Sequence, residues 1–285
     1  MRFLLTNDDG IYASGLNALN DALSKDAECL IVAPEREQSA VGHAITLARP
    51  LMVRHVQKNG KFFGYAVAGT PADCVKIGIK ELADKPVDLV VSGINLGPNV
   101  GIDVIYSGTV SAATEASILG VPSLAISLNS RSDNADFSFA AEFARQMALL
   151  LLENSSTPKG FPLNVNIPVI PEDRIKGIAV VRQGGAHMIE TFEKRVDPRK
   201  NVYYWLVGET PATDMETPGD SDISALKKGM ITITPIRYDL TKYDVMAKLS
   251  EKVKDLYKPS TSSRAESQKT KTNHESPKIT KTRKN

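Results

Sequence analysis

Apolar positions along this 285-residue chain follow two rhythms. Short apolar runs at 2–6, 29–33, 87–91 and 121–128 stop at polar or Gly/Pro-containing turns, the pattern of strands buried on both faces. Between the first two, Leu16, Leu19, Ala22 and Leu23 recur at helical spacing and predict a helix from 15 to about 24. Strand, helix and strand within about 33 residues make a βαβ unit, which requires parallel pairing and a right-handed crossover. Segments 44–56 and 62–67 are predicted as strands joined by a Lys58-Asn59-Gly60 turn. At 69–73 Thr70 suits an N-cap, Pro71 the first helical position and Asp73 the answering acid of a capping box, so a helix is expected to about 82, burying Val75 and Ile79. A further helix follows 107–109 with Ala112, Ala113, Ala116 and Leu119, and an amphipathic one spans 137–152. Strands at 164–167 and 175–181 complete the alternation of an α/β protein with a mostly parallel sheet.

The character changes after about residue 182. Strands are expected at 201–207 and 230–236, a short helix at 221–226, and a final helix at 241–257 with Val245, Leu249, Val253 and Leu256 aligned. Residues 1–182 are therefore expected to be the core domain, and 183–257 a β-rich extension packed on the main sheet, of the kind that mediates dimer contacts. From 258 to 285 Ser, Thr, Lys and Asn dominate, the composition of a disordered tail.

Charge sharpens that division. The net charge is +2, but residues 258–285 hold eight Lys/Arg against two Asp/Glu, leaving the rest of the chain at −4. A mildly acidic body argues against a nucleic-acid-binding domain, which carries a basic face. Two cysteines, Cys29 and Cys74, make no disulfide framework and fit a reducing compartment. The apolar N-terminal run is too short for a signal-peptide core, and the longest later run, 147–152, is far short of a membrane span. The expectation is a soluble cytoplasmic protein.

In an open α/β sheet, ligands sit outside the carboxyl ends of the strands. Three polar loops fall there: 7–12, 34–43 and 92–109. The first carries Asn7, Asp8 and Asp9. Adjacent carboxylates after a buried strand repel each other and lose hydration, two costs that a divalent cation removes. Oxygen ligands of this kind suit Mg²⁺, Mn²⁺ or Ca²⁺; the same pair would equally serve a solvated turn with Asp as a helix cap. The second loop offers Ser39 and His43, each also compatible with ordinary loop surface, and His55 and His187 are read as structural. The third offers Asn95 and Asn99 among Gly93, Gly97 and Gly101, and reaches Ser107, Gly108 and Thr109 at a helix start. Free amides and hydroxyls there attract an anion, phosphate being the natural one, although an ordinary Ser/Thr cap has the same sequence. No Walker motif, G-x-G-x-x-G or G-x-S-x-G elbow is present. A metal site beside a phosphate cradle points to phosphoester hydrolysis by metal-activated water.

Several collinear motifs resemble the SurE family, the stationary-phase survival proteins or 5′-nucleotidases. They are Leu4-Leu5-Thr6-Asn7-Asp8-Asp9-Gly10-Ile11, Ala33-Pro34 through Gln38-Ser39-Ala40 to Ile45-Thr46-Leu47, Gly69-Thr70-Pro71-Ala72-Asp73-Cys74-Val75, Ser92-Gly93-Ile94-Asn95-Leu96-Gly97, Tyr106-Ser107-Gly108-Thr109-Val110, and Gly229 through Ile231-Thr232-Ile233-Thr234-Pro235-Ile236. The resemblance covers about residues 1–240; the tail beyond about 258 departs from it. It implies a Rossmann-like three-layer α/β sandwich and hydrolysis of nucleoside 5′- and 3′-monophosphates, with short polyphosphate cut by some members. It implies one divalent cation, Mg²⁺ or Mn²⁺, held by Asp8, Asp9, Ser39 and Asn95, with Ser107, Gly108 and Thr109 near the substrate phosphate. It also implies a homodimer or homotetramer that exchanges its C-terminal β arm. On this reading Asn7 and residues 107–109 stabilise the equatorial phosphate oxygens, and Asp8 or Asp9 either takes the proton of an attacking water or attacks directly to give an aspartyl-phosphate. Other classes fit less of the chain. A haloacid-dehalogenase-like enzyme wants Asp-x-Asp, a receiver-like module ends near residue 120, and a nucleic-acid binder would rest on the basic tail alone.

Overall fold

The structure, a computed structural model, describes residues 1–153, 160–185, 189–209, 220–254 and 256–257. Strand β1 (Arg2–Thr6) leads to helix α1 (Ser14–Leu23) and strand β2 (Glu28–Pro34). A hairpin of β3 (Val53–Lys58) and β4 (Lys61–Val67) precedes α2 (Pro71–Ile77), which continues as a π-helical turn, Gly78–Leu82. Then come β5 (Leu89–Leu96), a 3₁₀ turn (Gly101–Ile105), α3 (Gly108–Ile118), β6 (Ser123–Asn129), α4 (Ser138–Glu153), β7 (Pro162–Pro168) and β8 (Ile178–Val180). The sequence continues with β9 (Ile189–Val196), β10 (Val202–Glu209), α5 (Asp222–Lys227), β11 (Ile231–Pro235) and α6 (Tyr243–Val253). Residues Met1–Tyr238 form one compact unit; Asp239–Asn285 form a second, in which α6 leaves Leu249 and Val253 exposed.

Nine strands form one sheet in the order β3-β4-β2-β1-β5-β6-β7-β11-β8. Pairing is parallel from β4 to β7 and between β11 and β8, and antiparallel for β3 with β4 and β7 with β11. Because successive side chains of a strand face opposite ways, each central strand feeds two cores. Phe3, Leu5, Ile31, Leu89 and Val91 pack with Leu16, Leu19 and Leu23 of α1 and Ala144 and Met147 of α4. Leu4, Leu30, Val32 and Val90 pack with Cys74 and Val75 of α2 and Ala112 and Ala116 of α3. Helices therefore cover both faces of a mostly parallel sheet, the predicted three-layer sandwich. Both cysteines are free; burial pushes the Cys29 thiol up to about 12 and raises that of fully buried Cys74 as well.

Four details differ from the sequence expectation. Residues 44–52 are not strand, because their polar backbone groups bond to the start of α2 instead: Thr46 N and Oγ1 donate to Asp73 at 2.9 and 2.7 Å, and Thr70 Oγ1 donates to Ala44 O at 2.7 Å. Strand β5 runs on through residues expected in the loop, with a register shift between Ser92 and Asn95. The strand β9 was not foreseen; it pairs antiparallel with β10 as a separate two-stranded sheet. Finally, the boundary expected at residue 182 falls between β8 and β11, which are hydrogen-bonded neighbours in the main sheet. His187 and the tail 258–285 lie outside the described residues.

The expected capping box is present: Thr70 Oγ1 accepts from Asp73 N, and the Asp73 carboxylate accepts from Thr70 N. The same carboxylate, 2% exposed as a residue, holds Thr46, so one side chain both starts α2 and pins the preceding loop. Asp73→Ala removes a cap and strands the Thr46 and Thr70 amides. The expected loss is about 2–3 kcal/mol of unfolding free energy, read by urea denaturation; a change below about 0.5 kcal/mol would remove Asp73 from this role.

Candidate functional site

From β1 the chain winds outward through β2 and β4 and then crosses back to β5 on the other side of β1. The carboxyl ends of β1 and β5 thus flank the topological switch point, where such sheets open a ligand crevice. Asp8 and Asp9 leave β1 there, and Asn95 lies at the end of β5.

Asp8 is 6% exposed. Its carboxylate accepts from Thr109 Oγ1 at 2.5 Å and Thr109 N at 3.1 Å, with the Gly108 amide adding to the same field. These donors favour the charged form, yet burial outweighs them and holds the Asp8 pKa above the usual carboxylate range. Asp9 is less deeply placed. Burial, then the negative charges of Asp8 and Glu37, push its carboxyl up to about 7, against the pull of the Leu96 backbone amide. The charged neighbours acting on Asp9 are thus both acids.

Asn95 owes its position to the irregularity in β5. Gly93 sits at φ +137°, and a Cβ there would lie 2.4 Å from the Ile126 carbonyl oxygen, so only glycine lets the strand kink against β6. Beyond the kink, Asn95 Nδ2 donates to Gly97 O at 2.7 Å, which leaves the amide oxygen as the acceptor. Ser39 is exposed at the rim, its hydroxyl donating to Glu37 Oε1 at 2.5 Å. Its loop is anchored by Gln38 N to Asp8 O at 2.8 Å and Gly42 N to Tyr106 O at 2.9 Å. His43 lies in that loop with Nε2 2.8 Å from Glu115 Oε2, while Lys76 Nζ meets the other oxygen of Glu115 at 2.5 Å. His55 stands edge-on to Phe62 and Tyr65 on the β3–β4 hairpin.

The structure therefore brings Asp8, Asp9, Asn95 and the Ser39 loop to one crevice, with α3 beginning beside them. Two expected roles change in the light of their neighbours. The anion lying against the start of α3 is Asp8 itself: both Thr109 donors are committed to it, while Ser107 Oγ caps the helix by accepting from Val110 N at 3.1 Å. Asn7 is fully buried; its Nδ2 donates to Gly10 O at 3.0 Å and its Oδ1 has no partner, so it holds the turn from beneath. Asn99 is also a structural residue. It is tied to Ser127, Asn164 and Asn166 by four hydrogen bonds of 2.7–3.0 Å.

Other contributors were not legible in the sequence. Asp222, fully buried, accepts from Gly101 N at 3.0 Å and Gly184 N at 2.8 Å, and Gln183 Nε2 donates to Gly101 O at 2.6 Å. Chain far beyond the loop thus fixes its middle. The Ser221 cap signal locates α5, but nothing in the spacing links it to Gly101.

Among the described residues, no three His, Cys, Asp or Glu side chains gather as a metal cluster. The donor set here is two carboxylates completed by an amide and a hydroxyl oxygen, which fits a hard cation and not a thiolate- or imidazole-loving one. Asp8 is buried and Asp9 half-buried beside Asp8 and Glu37, an arrangement whose cost a nearby positive charge would lower.

Fold and crevice together define a Rossmann-like α/β protein with a cluster of polar loops at the carboxyl edge of the sheet. Residues 3–190 match the family model described as Survival protein SurE, and the chain belongs to that family. A protein named 5′-nucleotidase SurE from Syntrophus aciditrophicus (strain SB) is 66% identical over 246 residues, 86% of this chain and 91% of the relative. A protein of the same name from Syntrophobacter fumaroxidans is 51% identical over 251 residues, 88% and 99% of the two chains. The crystal structure of the SurE protein from Aquifex aeolicus superposes with a TM-score of 0.74 at 40% identity, covering 88% of this chain and 99% of that one.

Proposed function

We propose that this protein is a divalent-metal-dependent phosphatase that hydrolyses nucleoside 5′- and 3′-monophosphates, with short polyphosphate as a further substrate. The observation that carries the reading is the pair of adjacent carboxylates at the β1/β5 switch point, Asp8 buried and Asp9 half-buried, with Asp8 and Glu37 as the charges acting on Asp9. The names of its relatives, 5′-nucleotidase SurE, supply the substrate class.

Asp8, Asp9, Asn95 and Ser39 would hold Mg²⁺ or Mn²⁺. When bound, the cation supplies Lewis acidity towards a phosphoryl oxygen and lowers the pKa of an attacking water. The chain's own residues do the rest. Thr109 locks Asp8 in one orientation, so its charge is fixed before substrate arrives, the preorganisation on which electrostatic catalysis depends. Asp9, the less tightly held carboxylate, accepts the water's proton. Ser107 keeps its hydroxyl hydrogen for a phosphate oxygen while its oxygen caps α3. Asn7 acts through the turn it supports.

Phosphate release from a panel of nucleoside monophosphates, with Mg²⁺, with Mn²⁺ and with chelator, tests this. The expected result is release that chelator abolishes and either metal restores. Release that is indifferent to chelator would end the metal-dependent reading.

We further propose that the protein works as a homodimer or homotetramer in the cytoplasm. The β9–β10 hairpin leaves Phe192, Tyr204 and Trp205 more than half exposed, a large apolar surface for a monomer to show water. No helix among the described residues is long and apolar enough to cross a membrane.

A further inference from the structure

Glu115 is a buried charge that the chemistry above does not use. It is the one charged residue of α3, whose other positions are Gly, Ala, Ser, Thr, Val and Ile, and its side chain is 5% exposed. A carboxylate so placed needs donors, and two residues distant in sequence supply them. Lys76 Nζ comes from α2 at 2.5 Å, and His43 Nε2 comes at 2.8 Å from the loop that joins β2 to β3. An ionised carboxylate only accepts, so Nε2 carries the hydrogen, and the imidazole holds this bond whether or not it is charged.

That loop also carries Ser39, and its hold on the body of the protein is polar. No residue from 35 to 50 is buried, and none of them belongs to a hydrophobic core. Ala40, directly after Ser39, sits at φ +55°, a left-handed conformation that is costly for a residue with a Cβ. Such a backbone persists where its surroundings fix it. Gln38 N donates to Asp8 O at 2.8 Å before Ser39, and Gly42 N donates to Tyr106 O at 2.9 Å after it. Both acceptors lie in turns. The His43–Glu115 bond, by contrast, reaches the interior of a helix. The first turn of that helix already orients Asp8 through Thr109. Glu115 follows Thr109 by a rise of about 9 Å along the axis.

We infer that Glu115 is a positioning residue: through His43 it seats the Ser39 loop against α3, so that one helix sets both Asp8 and Ser39. The link to Ser39 as a ligand rests on the metal reading proposed above; the anchoring of the loop does not. Lys76 is the second donor to Glu115 and has no bond to the loop.

Two measurements read the two halves. Residue-resolved hydrogen exchange of the metal-free, full-length protein reads the anchor, and calorimetric titration of Mn²⁺ without substrate reads its consequence. In His43→Ala the hydrogen-bonded amides of Gln38 and Gly42 are expected to exchange about tenfold faster than in the parent while those of α3 are unchanged, and the dissociation constant for Mn²⁺ is expected to rise about tenfold, as for residues that orient metal ligands elsewhere. His43→Gln places an amide N–H as many bonds from Cα as Nε2, and should restore most of both losses. Glu115→Ala should match His43→Ala, and the double variant should be no worse than either, because both changes remove one bond. Lys76→Met should leave both readings at the parent's values. Unchanged exchange at Gln38 and Gly42 in His43→Ala, or equal losses in Lys76→Met, overturns the inference and leaves Glu115 to the packing of α2 on α3. Faster exchange with unaltered Mn²⁺ affinity overturns the link between the loop and the site. A parent protein that binds no Mn²⁺ removes the metal reading instead, and exchange in His43→Ala then decides the anchor by itself.

Discussion

Asp8→Asn is expected to abolish turnover and yet leave the metal-free protein as stable as the parent, or more so. The two halves of this result have one cause. Asp8 sits where a carboxylate is poorly solvated, and burial outweighs the donors that face it. Its folded-state pKa is therefore raised. A raised carboxyl pKa means that the folded state gives up its proton less readily than the unfolded chain, so stability is lost as pH rises through the folded value. An asparagine carries no such cost. It also keeps both hydrogen bonds: its Oδ1 accepts from Thr109 N, and its Nδ2 donates to Thr109 Oγ1 once that hydroxyl rotates and the pair relaxes to an ordinary N–H···O length. The melting temperature of the metal-free variant should match the parent at pH 4 and exceed it at pH 8. Function moves the other way. A neutral amide cannot replace the charge that holds a cation and opposes the developing charge on phosphorus, and the expected fall in kcat/KM is at least about 10²–10³-fold. Calorimetry of the apoprotein and phosphate release with Mn²⁺ read the two quantities separately. A variant that still turns over near the parent rate would take Asp8 out of the site, whatever its melting temperature.

The same opposition between stability and site explains which features could be found from the sequence. The central strands were legible because burial on both faces demands unbroken apolar runs, and Phe3, Leu4 and Leu5 feed two cores from three consecutive positions. The start of α2 was legible because its signals are local: Thr70, Pro71 and Asp73 lie within one turn. Asp8 and Asp9 stood out because adjacent carboxylates directly after a buried strand break the pattern, whereas Ser39 and Asn95 were marked as ligands only by the resemblance to the SurE family. What was not legible depends on partners distant in sequence. Residues 44–52 look like a strand by composition, but Asp73 and Thr70 take their hydrogen bonds. The extension of β5 past Ser92 depends on Gly93 meeting the Ile126 carbonyl closely, and glycines in a row read as loop. Strand β9, with Glu193, Lys194 and Arg195 in succession, has the polarity of a surface loop and forms only against β10. Asp222 acts on Gly101 across 121 positions, beyond any local signal. The Thr109 side chain is a further case: an N-terminal Thr suggested a donor for phosphate, but the nearby buried acid takes it.

Gly108→Ala is expected to cut kcat by about 10²-fold while changing stability little. Gly108 is the first residue of α3, with Ser107 as its N-cap. Local propensity favours the substitution, since alanine in a helix is better than glycine by about 1 kcal/mol, and less than that at the first turn. Tertiary geometry opposes it. A Cβ on Gly108 would lie 2.7 Å from Asp8 Cβ, 2.9 Å from Asp8 Oδ2 and 3.1 Å from Pro71 Cγ. Contacts below 3.0 Å must relax, and both of them fall on the Asp8 side chain, so the strain is carried by the carboxylate that Thr109 orients. Overpacking of this kind costs about 1–3 kcal/mol, roughly offset by the helix gain, so the melting temperature shifts by only a few degrees. The displacement itself is not offset. Moving a positioned group by about 1 Å is enough to cost about 10² in rate, and the Thr109 bonds that orient Asp8 would be stretched with it. The expected signature is a lowered kcat together with a weaker apparent affinity for Mn²⁺, in a protein whose urea midpoint is nearly that of the parent. Unchanged kcat with a large loss of stability would mean that the methyl is accommodated by moving α3 as a whole, and that the close approach of Gly108 to Asp8 serves packing alone.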